Sequence, residues 1–319
     1  MGADLKSAPM RGLSEAFVEA LWALARQEGE PNWWRDVLCH DDLLIAVRRE
    51  GLDVYHRGQS VFQVKHVKGA VAANTHVKYL VRDRQGRVGL DDDSRFDHDP
   101  AKAVWSAYEG EATLADMIKA ARNYSGAEKD GVHSLVRRAR HNNVVDVEIA
   151  LASPGTDDDV GGKASANRID VATMAKAEGN RVSLTFHEAK LFANPDLRAK
   201  DTPSILAQLD RYEEAITARA EVLQEEYRRV AQGLVAIDAM RREVRENEGK
   251  TPPAQLAEAI HLAAKGTKIK VCTKPRLVIF AYDSAQVSDT RWEGHQKKIE
   301  GCDYEVYMTG DTKNANAFG

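Results

Sequence analysis

Three short stretches carry residue types that could do chemistry together: Arg168-Ile169-Asp170, Glu188-Ala189-Lys190, and Gln208 with Tyr212 four residues later. In a β-strand, side chains two apart share a face, so Glu188 and Lys190 would stand on one side about 6 to 7 Å apart, with Ala189 pointing away and its carbonyl available. Asp170 on a neighbouring strand can face the same way. Two carboxylates and a backbone carbonyl make a hard oxygen site of the kind Mg²⁺ takes, completed by waters and a substrate phosphate. A lysine beside it can orient or deprotonate an attacking water. That equipment suits metal-assisted hydrolysis of a phosphodiester. Gln208 and Tyr212 would share a helix face and could position the lysine, the water or a phosphate. The bland reading is that a Glu-x-Lys pair on a strand is an ordinary exposed ion pair. Against it, Val182, Leu184 and Phe186 make the same strand core-directed.

The elements that must position these groups follow from local pattern. Strands are expected at 144–151, 169–174 and 182–190, the last two forming a hairpin through Glu178-Gly179-Asn180. Pro203 suits the first turn of a helix that opens at Thr202 and continues past Tyr227 towards Asn247, with a junction of two helices near Gly233 as an alternative. A helix ending at Ala264, a strand at 276–282, a helix at 288–299 and a strand at 304–308 follow. Residues 311–319 read as a flexible tail. Upstream, an amphipathic helix is expected over Leu13 to Gln27. A four-strand antiparallel meander is read at 43–47, 52–55, 61–65 and 77–81, then an exposed loop at 82–98 and helices at 101–108, 114–124 and 132–140.

Composition bounds the function. The 319 residues, 43% hydrophobic and 29% charged, allow one large domain or two. The formal net charge of −4 gives no general footprint for nucleic acid, so phosphate contacts would have to come from clusters such as Arg137, Arg138 and Arg140. Those cations are explained as well by the end of a helix, whose dipole favours them. Cys39, Cys272 and Cys302 have neither zinc-site nor disulfide spacing, which fits a reducing, cytoplasmic setting. The first residues have no apolar h-region, and Lys6 stands where a myristoylation signal wants Ser or Thr. No apolar run approaches the roughly 20 residues of a membrane span. Asp91-Asp92-Asp93 lacks calcium-loop spacing and reads as a solvated turn. Gly161-Gly162-Lys163 fails as a P-loop, because Asp157 occupies the earlier glycine position and Ala164 the Ser/Thr position.

Asp170, Glu188-Ala189-Lys190 and Gln208-x-x-x-Tyr212, in the order strand, strand, helix, resemble the PD-(D/E)XK nuclease superfamily, in the branch whose helix carries Gln-x-x-x-Tyr (RecB-type and lambda-exonuclease-like enzymes). The likeness spans about Val144 to Tyr282. It implies an α/β fold with a restriction-endonuclease-like mixed sheet flanked by helices, Mg²⁺ or Mn²⁺ as cofactor, and DNA as substrate. Asp170, Glu188 and the Ala189 carbonyl would be metal ligands, Lys190 the catalytic lysine, and Gln208 and Tyr212 accessory. The chain departs from the pattern where Arg168-Ile169 replaces the motif's proline, and it lacks a four-cysteine cluster set. Superfamily members often add a glutamate from a preceding helix, for which Glu15 or Glu19 would serve, and Glu148 could add to the acidic patch. The expected division is an N-terminal helix and β-meander region (1–130), a nuclease core with a long helical insertion (131–310), and the tail. Free-standing nucleases of this type serve restriction or antiphage defence. Some act with a helicase or ATPase subunit, which this chain would have to borrow, or as a homo-oligomer. Two alternatives stand beside the enzyme: a catalytically silent nuclease-fold module that binds nucleic acid or a partner protein, and an unrelated α/β protein in which the five polar residues are coincidental.

Overall fold

A computed structural model describes residues 11–29, 31–82, 89–90, 93, 96–97, 100–137, 142–151, 167–198, 201–312 and 316–318. The chain opens with α1 (Glu15–Arg26) and α2 (Trp33–Cys39), then β1 (Leu44–Arg48), β2 (Gly51–His56), β3 (Gln59–Val67) and β4 (Ala70–Asn74). The short pair β5 (Gly89–Leu90) and β6 (Phe96–Asp97) leads to α3 (Pro100–Ala103), α4 (Glu111–Arg122) and α5 (Ala127–Val136). After these come β7 (Val144–Leu151), β8 (Asn167–Ala177), β9 (Arg181–Leu191) and α6 (Ser204–Asn247). The remainder is α7 (Glu258–Ala264), β10 (Ile269–Val271), β11 (Arg276–Phe280), α8 (Ser284–Val287), α9 (Thr290–Glu300) and β12 (Val306–Thr309).

The protein is mixed α/β with two main sheets. β1 to β4 form an antiparallel meander in sequence order. The second sheet runs β12-β11-β9-β8-β7, with β10 also paired to β9. In it β8 is antiparallel to both β7 and β9, whereas β10 and β11 run parallel to β9. A parallel partner needs a crossover, and the 44-residue α6 followed by α7 supplies it. α6 packs across this sheet: Phe186 of β9 meets Tyr227 of α6 edge to face at 5.6 Å. On the opposite face α5 covers Val171, Ala189 and Val278 with Val132, Leu135 and Val136.

The two sheets are clasped by Asp146 of β7, whose side chain is fully buried. It accepts from Arg11 Nη1 at 2.7 Å, Arg48 Nη1 at 2.6 Å, Val147 N at 2.8 Å and Tyr227 Oη at 3.2 Å. Two guanidiniums and two neutral donors satisfy a carboxylate that would otherwise be costly to bury.

Several expectations are corrected. The fourth meander strand is 70–74. The positive φ at Lys68 (51°) and Gly69 (81°) closes a two-residue hairpin of the primed type, which reverses the chain sooner than the apolar run 77–81 suggests. Val77–Tyr79 is instead a 3₁₀ turn capped by His76 Nδ1. α6 continues through Gly233, where a Cβ would come within 3.1 Å of Val47 Cγ2, so this glycine serves close packing on β1 and marks no junction. α5 begins five residues earlier than the 132–140 pattern indicates and ends at Val136. The tail expectation covers residues 316–318, where Ala317 and Phe318 are buried; Phe318 stacks edgewise on His187 at 5.1 Å and its carbonyl accepts from Asn143 Nδ2 at 2.6 Å. Arg138, Arg140, Asp91, Asp92 and the Gly161-Gly162-Lys163 loop lie outside the described residues. Among the described residues no helix is long and apolar enough to cross a membrane.

Candidate active site

Register brings three carboxylates into line across three strands. The β7–β8 pairs Val147–Val171 and Ile149–Ile169 bracket Glu148 and Asp170, and one step beyond the β8–β9 pair Val171–His187 stand Asp170 and Glu188. Adjacent strands are about 4.8 Å apart, so neighbours in such a row meet. All three are buried, with 7%, 6% and 2% of their surface exposed for Glu148, Asp170 and Glu188. Burying three like charges needs compensation, and two lysines provide it. Lys190 Nζ lies 2.7 Å from Glu188 Oε1. Lys129 Nζ, from α5, lies 2.7 Å from Glu148 Oε1 and 2.8 Å from Asp170 Oδ1.

The helix motif reaches the same place. Gln208 Nε2 donates to Glu188 Oε1 at 2.9 Å and to Tyr212 Oη at 2.5 Å. Tyr212 Oη in turn donates to the Arg168 carbonyl at 2.7 Å. One turn of α6 thus ties β9 to β8 through a relay that begins on the Glu188 carboxylate. The Ala189 amide donates to Asp170 Oδ2 at 2.9 Å, a second tie between those strands. All five residues singled out in the sequence, Asp170, Glu188, Lys190, Gln208 and Tyr212, therefore converge.

Sequence reasoning missed the contribution of α5. Glu15 and Glu19 are exposed on α1, which packs on α6 and β4. The helical glutamate beside the cluster is Glu128, whose Oε2 accepts from Leu191 N at 3.1 Å and Asn194 Nδ2 at 2.7 Å, with Oε1 3.9 Å from Lys190 Nζ. No pattern in Ala127-Glu128-Lys129 marks these residues, because their helix starts from Gly126 without a side-chain cap. Glu148, already a candidate for the acidic patch from the sequence, stands beside Asp170, and its φ of 52° puts a non-glycine residue in the left-handed region inside a strand. Such strain costs on the order of 1–3 kcal/mol and collects at functional sites.

Burial first, and then the Asp170 charge, push the Glu188 carboxyl up to about 8, against the pull of Lys190. Burial would lower the Lys190 ammonium, but Glu188, Glu128 and Asp170 outweigh it and hold it above its ordinary value. Lys129 is likewise held up by Asp170 and Glu148 against burial. Lys190 is therefore an ammonium near neutral pH. It can donate to and orient a water, which narrows the sequence expectation of a lysine that orients or deprotonates.

Among the described residues no group of three or more His, Cys, Asp or Glu is already arranged to hold a metal, since the lysines stand between the carboxylates. The residues nevertheless fit a hard divalent cation on one specific observation: Glu188 Oε2 is buried with no hydrogen-bond partner. A buried carboxylate oxygen left without a donor is unfavourable unless something charged completes it. Arg137 is engaged elsewhere, its Nε donating to the Asp41 carbonyl at 3.2 Å and its guanidinium pairing with Asp42. The three cysteines are free and separate.

No family model, no curated protein and no solved structure matches the chain.

Proposed function

We propose that this protein is a metal-dependent nuclease that hydrolyses phosphodiester bonds, with DNA as substrate, built on a restriction-endonuclease-like core of the PD-(D/E)XK kind. The observation that carries the reading is the partnerless, buried Glu188 Oε2 on a carboxylate already gripped by Lys190 and Gln208 and aligned with Asp170. The strand order, an antiparallel β7-β8-β9 unit continued by a parallel β11, supports it as well.

Asp170, Glu188 and the Ala189 carbonyl would hold Mg²⁺ or Mn²⁺, which when bound neutralises phosphate charge and acidifies a water. The remaining work belongs to the chain itself. Lys190 points its ammonium at the reacting face of Glu188 and orients the attacking water by donating to it. Gln208 favours the carboxylate form of Glu188 by donating to Oε1, against the burial that raises it, and Tyr212 fixes the amide of Gln208 by accepting from it. Glu128 holds the end of β9 through Leu191 N, which sets the reach of Lys190. Arg168, 59% exposed at its side chain and 3.8 Å from Glu148, offers a guanidinium to the substrate backbone at the rim. A place in restriction or antiphage defence, and a helicase or ATPase partner, belong to the same proposal.

The test is incubation of the purified protein with supercoiled plasmid, linear duplex and single-stranded DNA in Mg²⁺, Mn²⁺ or EDTA, beside Asp170→Ala and Lys190→Ala. Cutting that needs the metal and is lost in both variants is the expected result. Cutting that survives in either variant overturns the assignment, and DNA binding without cutting in any metal points to the silent module.

A further inference from the structure

Lys129 is a cation already seated between two of the carboxylates. Asp170 has both oxygens engaged: Oδ2 by the Ala189 amide at 2.9 Å and Oδ1 by Lys129 Nζ at 2.8 Å. The amide is part of the strand frame and cannot withdraw, whereas a lysine side chain can. Glu148 leans on the same ammonium at 2.7 Å from its left-handed backbone position. On the Glu188 side the situation differs, because Lys190 takes Oε1 and leaves Oε2 open.

The N-terminal sheet closes over this ammonium. The turn between β2 and β3 consists of Arg57 and Gly58, with φ of 50° and 74°, and lies against Lys129. A Cβ at Gly58 would come within 3.0 Å of Lys129 Cγ and Cδ and 3.1 Å of Glu148 Oε1, so the approach requires glycine in space as well as in φ. Arg57 pins the turn to the same helix through Asp130 at 2.7 Å.

We propose that Lys129 is a resident counter-ion of Asp170 and Glu148 that a divalent metal must displace, so that Lys129 sets the metal affinity of the site. The proposal rests on the metal-site reading above. Two cations cannot share Asp170 Oδ1 at contact distance, because their repulsion grows as the site loses water. Without metal, the ammonium keeps the two carboxylates from repelling each other. With metal, it swings out towards the rim beneath the β2–β3 turn.

The measurement is Mn²⁺ binding to the full chain at pH 7.5, by calorimetry and by the electron-spin signal of free Mn²⁺, for wild type, Lys129→Met, Lys129→Arg and Asp170→Asn. Methionine keeps the volume and removes the competing charge, so Kd falls at least tenfold and melting in EDTA falls while the Mn²⁺-induced rise in Tm grows. Arginine grips both carboxylates with its planar fork, so Mn²⁺ binds several-fold more weakly than in wild type. The expected order of affinity is Met, then Lys, then Arg. Any other order, with binding still abolished by Asp170→Asn, overturns the counter-ion role and leaves the metal site standing; if Lys129→Met does not fold, the Lys against Arg comparison decides. Binding that Asp170→Asn leaves intact, or no binding by any of the four proteins, overturns the metal site and the counter-ion role with it.

Discussion

Gln208→Met tests how the helix motif acts on the acid it touches. Methionine preserves volume and helix propensity while deleting the donor to Glu188 Oε1 at 2.9 Å and the donor to Tyr212 Oη at 2.5 Å. A hydrogen bond to a charged group is worth roughly 1.5–3 kcal/mol, and about 1.4 kcal/mol corresponds to one pH unit. Glu188 already titrates at about 8 because of burial and Asp170. Losing the donor disfavours the carboxylate further and moves its titration about one to two pH units higher. The sign for stability follows: the folded carboxyl binds its proton more tightly than the unfolded one, so the Glu188 contribution is intact below about 4.5 and is lost as pH rises towards 8. In the variant this loss extends to higher pH. The assay is carbon-detected titration of glutamate carboxyls by NMR, with Glu188→Gln assigning the resonance. An unchanged midpoint refutes the claim that Gln208 favours the carboxylate form of Glu188, whatever happens to activity.

Two further outcomes are expected. Burial lowers His56 to about 4 and His133 to about 3, and their rings meet edgewise at 5.0 Å. Their folded values lie below the unfolded 6.5, so stability holds above pH 6.5 and is lost as pH falls towards 4. Each histidine costs about 1–2 kcal/mol by pH 5, so urea midpoints at pH 7 and pH 5 should differ much less in a His56→Gln, His133→Gln variant; an equal difference refutes the assignment. In α5, a Cβ at Gly131 would fall 2.0 Å from Phe280 Cε2, so Gly131→Ala must push the helix off β11 at a cost of about 1–3 kcal/mol. That displaces Glu128 and Lys129 together, and a melting temperature equal to wild type would show the packing to be looser than described.

How much could be read from the sequence divides along physical lines. β7, β8, β9 and β11 were legible because alternation and apolar runs report burial directly, and the hairpin pairing of β8 with β9 followed from the turn at Glu178-Gly179-Asn180. Asp170, Glu188, Lys190, Gln208 and Tyr212 were legible as candidates because strand and helix periods fix which side chains share a face. Glu128 and Lys129 were not, since α5 starts without a capping side chain and Gly131 argues locally against a helix. Its glycine is explained only by the Phe280 ring it packs against, a tertiary fact. The weight of Glu148 was hidden as well: alternation along β7 cannot report a residue at φ 52°, and only the register places it beside Asp170. Burial of Phe318 depends likewise on contacts with His187 and Asn143, far away in the chain.

The central claim, that Lys190 acts on a water beside a metal held by Asp170 and Glu188, is tested most directly by single-turnover cleavage of an end-labelled duplex in Mg²⁺ by wild type and Lys190→Ala, with Mn²⁺ binding measured on the same preparations. The account predicts metal binding within a few-fold of wild type and a rate lower by about 10²–10³, the range for loss of one preorganised hydrogen-bond donor. Cleavage by Lys190→Ala at the wild-type rate, with metal bound equally, would contradict it.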